Sequence, residues 1–106
     1  MPFPIQIEID AFSGRTNPRF VIGKDQSLRL AQLLGRNLEP ANEAPSMPEL
    51  GFRGFLVTTP DADVCVVRVL PRWVVKGGRV FKDPENLAFK FLQSITPQEF
   101  RSVVRE

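Results

Sequence analysis

Two adjacent glycines, Gly77 and Gly78, separate two short segments that favour β structure. A two-residue Gly-Gly connection suits a type I′ turn, because both central residues of that turn have positive φ. Such a turn also fixes which residues face each other across the two strands. The predicted pairs are Lys76 with Arg79, Val75 with Val80, Val74 with Phe81 and Trp73 with Lys82. The sequence therefore predicts an antiparallel hairpin here.

Further strands are indicated near the start and in the middle of the chain. Ile5, Ile7 and Ile9 alternate with polar residues, as in a half-buried strand. Turn-forming residues follow at 12–18, and Arg19 to Ile22 is typical of a short second strand. The segments 52–59 and 64–70 are rich in apolar and β-branched residues, and the turn residues 60–63 between them predict another hairpin.

Two segments have helical periodicity. Leu30, Leu33, Leu34 and Leu38 predict a helix over 25–37, with Asp25 or Ser27 as its cap. Asp83-Pro84-Glu85 has the cap, proline and acidic residue of a helix start, which predicts a helix over 84–95. Thr96-Pro97-Gln98-Glu99 predicts a capping box and a last short helix. The proline-rich segment 39–51 is interpreted as a long surface loop.

This order of elements defines the fold class. The whole chain, residues 1–106, is predicted to be one α+β domain. Its elements follow the order ββα-ββββ-αα, with a mainly antiparallel sheet of about five to six strands and two or three helices on one face.

The composition excludes several kinds of catalytic, metal-binding and disulfide chemistry. The chain has no histidine, no tyrosine and one cysteine. A Ser-His-Asp or Cys-His nucleophile, a histidine-ligated metal and an internal disulfide are thereby excluded. Cys65 lies in an apolar strand pattern and is interpreted as a buried small hydrophobe. No cofactor, no metal and no catalytic residue is expected, so any catalysis would act through substrate positioning.

The same composition bears on location and on partners. The apolar runs are far shorter than the approximately 20 residues that span a membrane, so no membrane association is expected. No secretory signal pattern is visible, and a lone cysteine fits a reducing compartment, which favours a cytoplasmic protein. A net charge of +2 is too small to require an anionic partner.

The turn at 13–18 is the first candidate site. Gly14 frees the backbone for positive φ, and Arg15 offers a planar fork that can hold a carboxylate. Arg15 and Asn17 are therefore candidate ligand-binding residues. The alternative is a structural turn in which Arg15 holds the loop to a neighbouring carbonyl or acid.

Gly51-Phe52-Arg53-Gly54-Phe55 is the second candidate site. Phe52 and Phe55 cannot share one face of a regular strand, so Gly54 predicts a bulge. Arg53 can bind an acidic ligand or stack on a ring. The alternative is a bulged strand that carries a surface arginine.

A basic segment at 68–82 is the third candidate, with Arg72, Trp73 and Phe81 as candidate ligand-binding residues. Basic residues interleaved with aromatic ones can bind single-stranded nucleic acid or an acidic peptide. They can equally protect a sheet edge against aggregation. Glu8 and Asp10 share one strand face and are interpreted as a solvated pair.

Two motifs carry a resemblance. Phe12-Ser13-Gly14-Arg15-Thr16-Asn17-Pro18 resembles a motif of small bacterial and fungal proteins, in which proline usually stands at the place of Thr16. Leu50-Gly51-Phe52-Arg53-Gly54-Phe55 is similar to the second motif of those proteins. Such proteins resemble the peptide-binding proteins of crocagin-type RiPP biosynthesis. The resemblance implies binding of a ribosomal precursor peptide and assistance in its maturation, and it carries over Arg15 and Arg53 as motif positions.

These observations lead to three functional hypotheses. The first is a small module that binds a peptide or a protein, by strand addition to an exposed sheet edge. The second is a nucleic-acid-binding domain that uses the basic hairpin at 72–82, with an affinity that falls steeply with salt. The third is an accessory subunit that forms a homodimer, or a heterodimer with a related protein.

Overall fold

The residues that the structure describes form an α+β fold built on an antiparallel sheet of seven strands. The computed structural model describes residues 5–11, 16–36, 38–43, 52–58 and 67–104. The strand order in the sheet is β2-β1-β4-β5-β6-β7-β3. The elements are β1 (Ile5–Ile9), β2 (Arg19–Ile22), α1 (Lys24–Gly35), β3 (Glu39–Pro40), β4 (Phe55–Thr58), β5 (Val67–Leu70), β6 (Trp73–Lys76), β7 (Arg79–Lys82) and α2 (Leu87–Ile95), followed by a 3₁₀ turn (Gln98–Phe100).

The core lies on one face of this sheet, called here the core face. Directly paired residues lie on the same face, and one row of pairs joins Ile9, Phe55, Val69, Val74 and Phe81 across five strands. The first four of these side chains are fully buried. The period-two pattern of the strands therefore produces a continuous apolar layer, as the sequence predicts.

Both helices cover the core face. Helix α1 buries Leu30 and Leu34, and α2 buries Phe89 and Leu92, all in one cluster with the strand residues. The connection through α1 leads from β2 at one edge of the sheet to β3 at the other. Within the described parts of the chain, no helix is long and apolar enough to cross a membrane.

The Gly-Gly hairpin has the predicted turn and register. The φ angles of Gly77 and Gly78 are 58° and 74°, which is the requirement of a type I′ turn. Lys76 pairs with Arg79, and the three further predicted pairs follow in step. A local steric preference thus decides this part of the sheet.

The segment after α1 corrects the expected loop and the strand count. Glu39 pairs with Lys82 and Pro40 with Phe81, so that β3 adds a seventh strand at the sheet edge. The Ala41 N–H also donates to the Val80 carbonyl at 2.9 Å. Proline is tolerated because an edge strand needs donors on one side only. The rest of the predicted loop, 44–51, lies outside the described residues.

The helix boundaries also differ from the expectation. Helix α1 begins after Gly23 with no side-chain cap, and α2 begins at Leu87 instead of residue 84. The predicted capping box fails because the Thr96 hydroxyl donates back to the Leu92 carbonyl at 2.7 Å. A 3₁₀ turn stands where the last helix was expected.

Several sequence-based predictions fall outside the described residues. They are the candidate ligand-binding residue Arg15, the buried position of Cys65 and the hairpin turn at 60–63. The strand predicted over 64–70 is described from Val67 onward.

Candidate functional site

Four of the predicted site residues converge on the end of the sheet at which β1 finishes, called here the β1-terminal end. Asn17 precedes β2 and bonds to Ala11 beyond the end of β1. Arg53 precedes β4 and bonds to Asp10. Arg72 and Trp73 lie at the β5–β6 turn, which is level with the start of β4 because Phe55 pairs with Val69. Antiparallel pairing thus gathers residues that are far apart in sequence.

Asn17 connects the chain before β2 to strand β1. Its Oδ1 accepts a hydrogen bond from the Ala11 N–H at 3.1 Å, and its Nδ2 donates to Glu8 Oε2 at 3.1 Å. The other oxygen of Glu8 accepts from Arg19 Nε at 2.9 Å. Asn17 is therefore positioned as a link within the fold.

Replacing Asn17 with alanine is expected to lower the free energy of unfolding by about 1 kcal/mol, the usual net value of a hydrogen bond. Urea denaturation measures this loss. The matched control is Asn42→Ala, at an exposed position, with an expected change within about 0.5 kcal/mol. An Asn17→Ala variant as stable as this control would contradict the linking role.

Arg53 lies in the bulge that the sequence predicts. Asp10 donates its N–H to the Gly54 carbonyl at 3.0 Å and accepts from the Arg53 N–H at 2.6 Å, so two residues oppose one. Phe52 and Phe55 consequently share the core face, where their ring centroids are 5.4 Å apart. The extra residue leaves Arg53 opposite Asp10, on the other face of the sheet.

A second arginine, Arg68, supports the same bulge, and sequence reasoning did not single it out. Its Nη1 donates to Asp10 Oδ2 at 2.7 Å and to the Arg53 carbonyl at 3.0 Å. Glu8 and Asp10 each carry an arginine partner, so the pair interpreted as solvated is in fact neutralised by Arg19 and Arg68. The opposed charges were detectable in the sequence, but their pairing was not.

Arg72 lies beside a buried polar cluster. It has a φ of 63° and follows Pro71, the pattern of a type II turn. Its N–H donates to Asn86 Oδ1 at 2.8 Å, and its carbonyl accepts from the Asp83 N–H at 2.9 Å. The backbone of Arg72 thus joins the sheet to the start of α2.

Asp83 lies at the centre of that cluster and forms an ion pair with Arg36. Asp83 is 2% exposed. Its Oδ1 accepts from the Arg36 guanidinium, and its Oδ2 accepts from the Ala88 N–H at 3.0 Å. The carboxylate therefore reaches past the turn to an amide of the first turn of α2. The sequence signal for this role was the Asp-Pro-Glu pattern, which indicated a cap but placed the helix too early.

The aromatic residues of the basic hairpin do not form one surface. Trp73 pairs with Lys82, whereas Phe81 pairs with Val74 on the core face. The side chains of Trp73 and Phe81 therefore point to opposite faces, so one ligand on one sheet face cannot contact both. Phe81 is partly buried and also lines a cleft of about 440 Å³ with Pro40 and Val80.

The lysines of this hairpin have partners within the protein. Lys76 Nζ donates to the Leu34 carbonyl at 2.8 Å, at the C-terminal end of α1, where positive charge is favourable. It also lies 5.2 Å from the centre of the Phe81 ring, and Lys82 lies 5.9 Å from the centre of the Trp73 ring. These contacts engage both lysines within the protein, and they do not favour a nucleic-acid-binding surface on this hairpin.

Strand β2 is an edge of the sheet and has backbone groups that face away from β1. The Ile9 N–H donates to the Pro18 carbonyl, so Phe20 and Ile22 carry the next groups that face β1. Since these groups alternate, the N–H and C=O of Arg19 and Val21 point outward. Val21 is 61% exposed.

The opposite edge has a different character. Strand β3 has two residues, of which Pro40 lacks an N–H. Short length and proline are the usual protections of an edge against further pairing. Of the two edges in the described sheet, β2 is thus the one that offers an unblocked row of backbone donors and acceptors.

The described residues contain no group of three or more acidic or cysteine side chains placed to hold a metal ion. Comparisons with models of protein families, with curated proteins and with solved structures find no match to this chain.

Proposed function

We propose that this protein binds an extended peptide segment, which adds as a further strand beside β2. The observation that carries the proposal is the outward-facing backbone of Arg19 and Val21 on an edge strand with an exposed Val21. Main-chain hydrogen bonds would supply affinity, and contacts with alternate side chains would supply specificity.

The asymmetry of the two edges supports this choice. Proline and short length block β3, whereas β2 has four residues and an apolar side chain turned to solvent. Arg19 on the same strand is held by Glu8, which fixes its direction without occupying the backbone groups of the edge. An incoming strand would therefore meet backbone groups that pairing with β1 has already ordered, which lowers the entropic cost of binding.

The motif resemblance favours one class of peptide. It would make the ligand a ribosomally produced precursor, held in an extended form while a separate enzyme acts on it. Such assistance would work through orientation and proximity, which require no acid–base residue of the binding protein.

The proposal is tested by removing one outward donor. Val21→Pro deletes the N–H that faces away from β1 and leaves the β1–β2 hydrogen bonds in place. The matched control, Val21→Thr, keeps the N–H and a β-branched side chain. A phage-displayed library of linear random peptides, selected on the wild-type protein, provides the probe. Peptides from it are expected to bind wild type and Val21→Thr, and to lose at least about tenfold in affinity for Val21→Pro.

Hydrogen exchange gives a readout at the same atoms. The amides of Arg19 and Val21 are expected to exchange fast in the free protein and to become protected when a selected peptide binds. Equal peptide affinity of Val21→Pro and wild type would contradict strand addition. A dimer that Val21→Pro dissociates, seen by light scattering, would assign the edge to a second copy of the chain.

A further inference from the structure

Arg53 differs from the three arginines that form ion pairs among the described residues. Arg19, Arg36 and Arg68 are paired with Glu8, Asp83 and Asp10, respectively. Arg53 has no ion pair with any described residue. Its Nε is buried and has no hydrogen-bond partner, and it is the one side-chain atom with this property among the described residues.

A buried donor without a partner is costly, particularly in a charged group. Arginine has five N–H donors and always carries its charge, so it cannot relieve the cost by losing a proton. The backbone of Arg53 is occupied, since its N–H donates to Asp10 and its carbonyl accepts from Arg68. These two bonds hold the backbone of the residue in place and leave the buried Nε–H without an acceptor.

The surroundings of Arg53 explain why no acid among the described residues is paired with it. The nearest acid in the ladder, Asp10, is engaged by Arg68 at 2.7 Å. Gly54 beside it packs so closely that an added Cβ would lie 2.7 Å from the Val69 carbonyl and 3.0 Å from Leu70 Cδ2. The bulge is therefore rigid, and Arg53 is half-buried on it with part of its side chain still in solvent.

We propose that Arg53 is the anchor of a carboxylate-binding site at the β1-terminal end of the sheet. A carboxylate offers two oxygens to the planar fork. Because Nε is buried, the side chain has to turn this edge of the guanidinium toward solvent, and a side-on carboxylate would then give the Nε–H its missing acceptor together with one Nη. The site goes beyond strand addition at β2, because it lies in the bulge just before β4, and β1 separates β4 from β2 in the sheet. It predicts that ligands carry an acidic side chain or a free C-terminus.

The test uses sodium acetate as the probe, at constant ionic strength with chloride as the balancing anion. The Nε–Hε signal of Arg53 in a proton–nitrogen NMR spectrum is expected to shift downfield and saturate as acetate is added. The signals of Arg19 and Arg68, whose guanidinium groups are already paired, are the internal controls and are expected to stay in place. Equal shifts of all three signals, or no shift of the Arg53 signal, would overturn the site.

Variants separate binding from structure. Acetate is expected to raise the melting temperature of the wild-type protein. Arg53→Met keeps the apolar stem and removes the unmatched donor, so without acetate it should melt at or above the wild-type temperature. Its melting temperature should not rise when acetate is added. Arg19→Met is the matched control and should keep that rise. An acetate-dependent rise of wild-type size in Arg53→Met would overturn the proposal. If Arg53→Met does not fold, the NMR titration of the wild-type protein decides alone.

A second anion identifies the chemistry. Phosphate, titrated in the same way, is expected to act more weakly than acetate, and a stronger response to phosphate would overturn the carboxylate assignment. The outcome is independent of peptide binding at β2. If Arg53→Met loses the acetate response but Val21→Pro binds the selected peptides as wild type does, the Arg53 site stands and strand addition fails. If Val21→Pro loses peptide binding but Arg53→Met keeps the acetate response, strand addition stands and the Arg53 site fails.

Discussion

Replacing Asp83 with alanine is expected to lower the free energy of unfolding by about 3–5 kcal/mol, because it removes the carboxylate that neutralises a half-buried arginine. Arg36 would keep its hydrogen bond to the Leu33 carbonyl at 3.0 Å. The Asp83 carboxylate is 2% exposed and accepts from both Arg36 and the Ala88 N–H. The Ala88 amide, also buried, would lose its acceptor at the same time. Since a domain has a total stability of about 5–15 kcal/mol, the variant should be close to unfolding at room temperature.

The measurement is urea denaturation, in which the midpoint should fall. Glu85→Ala is the matched control, because Glu85 is an exposed acid two residues along the same turn. Its expected change is within about 0.5 kcal/mol. A double-mutant cycle with Arg36→Met separates the ion pair from the Ala88 hydrogen bond. If Asp83→Ala and Glu85→Ala unfold at the same midpoint, Asp83 does not hold the sheet to α2.

Gly54→Ala is the second substitution with a large expected effect, a loss of about 3 kcal/mol. Gly54 has a φ of 102°, and an added Cβ would lie 2.7 Å from the Val69 carbonyl. That oxygen belongs to the β5 backbone and cannot rotate away as a side chain would. The bulge would have to shift, which would disturb the contact of Phe52 with Phe55 and Phe89.

Gly35→Ala is the matched control for this substitution. Gly35 is the last residue of α1, and an added Cβ would meet no atom within 4 Å. Alanine at such a helical position usually stabilises a protein by about 0.4–1 kcal/mol. Thermal unfolding should therefore move in opposite directions for the two variants. A Gly54→Ala protein that melts with the wild type would show that the bulge adapts.

The bulge shows how far a site can be predicted from sequence. The spacing of Phe52 and Phe55 around Arg53-Gly54 was enough to predict it, because period-two alternation is a rule of local geometry. The partners of the arginines were not predictable in the same way. Arg36 and Asp83 are 47 residues apart, and Arg68 and Asp10 are 58 residues apart. Which acid meets which arginine depends on strand order, and local patterns do not encode strand order.

The sequence by itself determined the α+β class, the core-facing strand residues and the Gly-Gly hairpin with its register. These follow from hydrophobic alternation and from backbone sterics over a few residues. Only the tertiary structure decided that Glu39–Pro40 becomes an edge strand and that α2 begins at Leu87. It also decided that Arg53, among the described residues, keeps a buried donor without a partner. The physical reason is that these hydrogen bonds join residues far apart in sequence, so a partner is determined only when folding brings the two segments together.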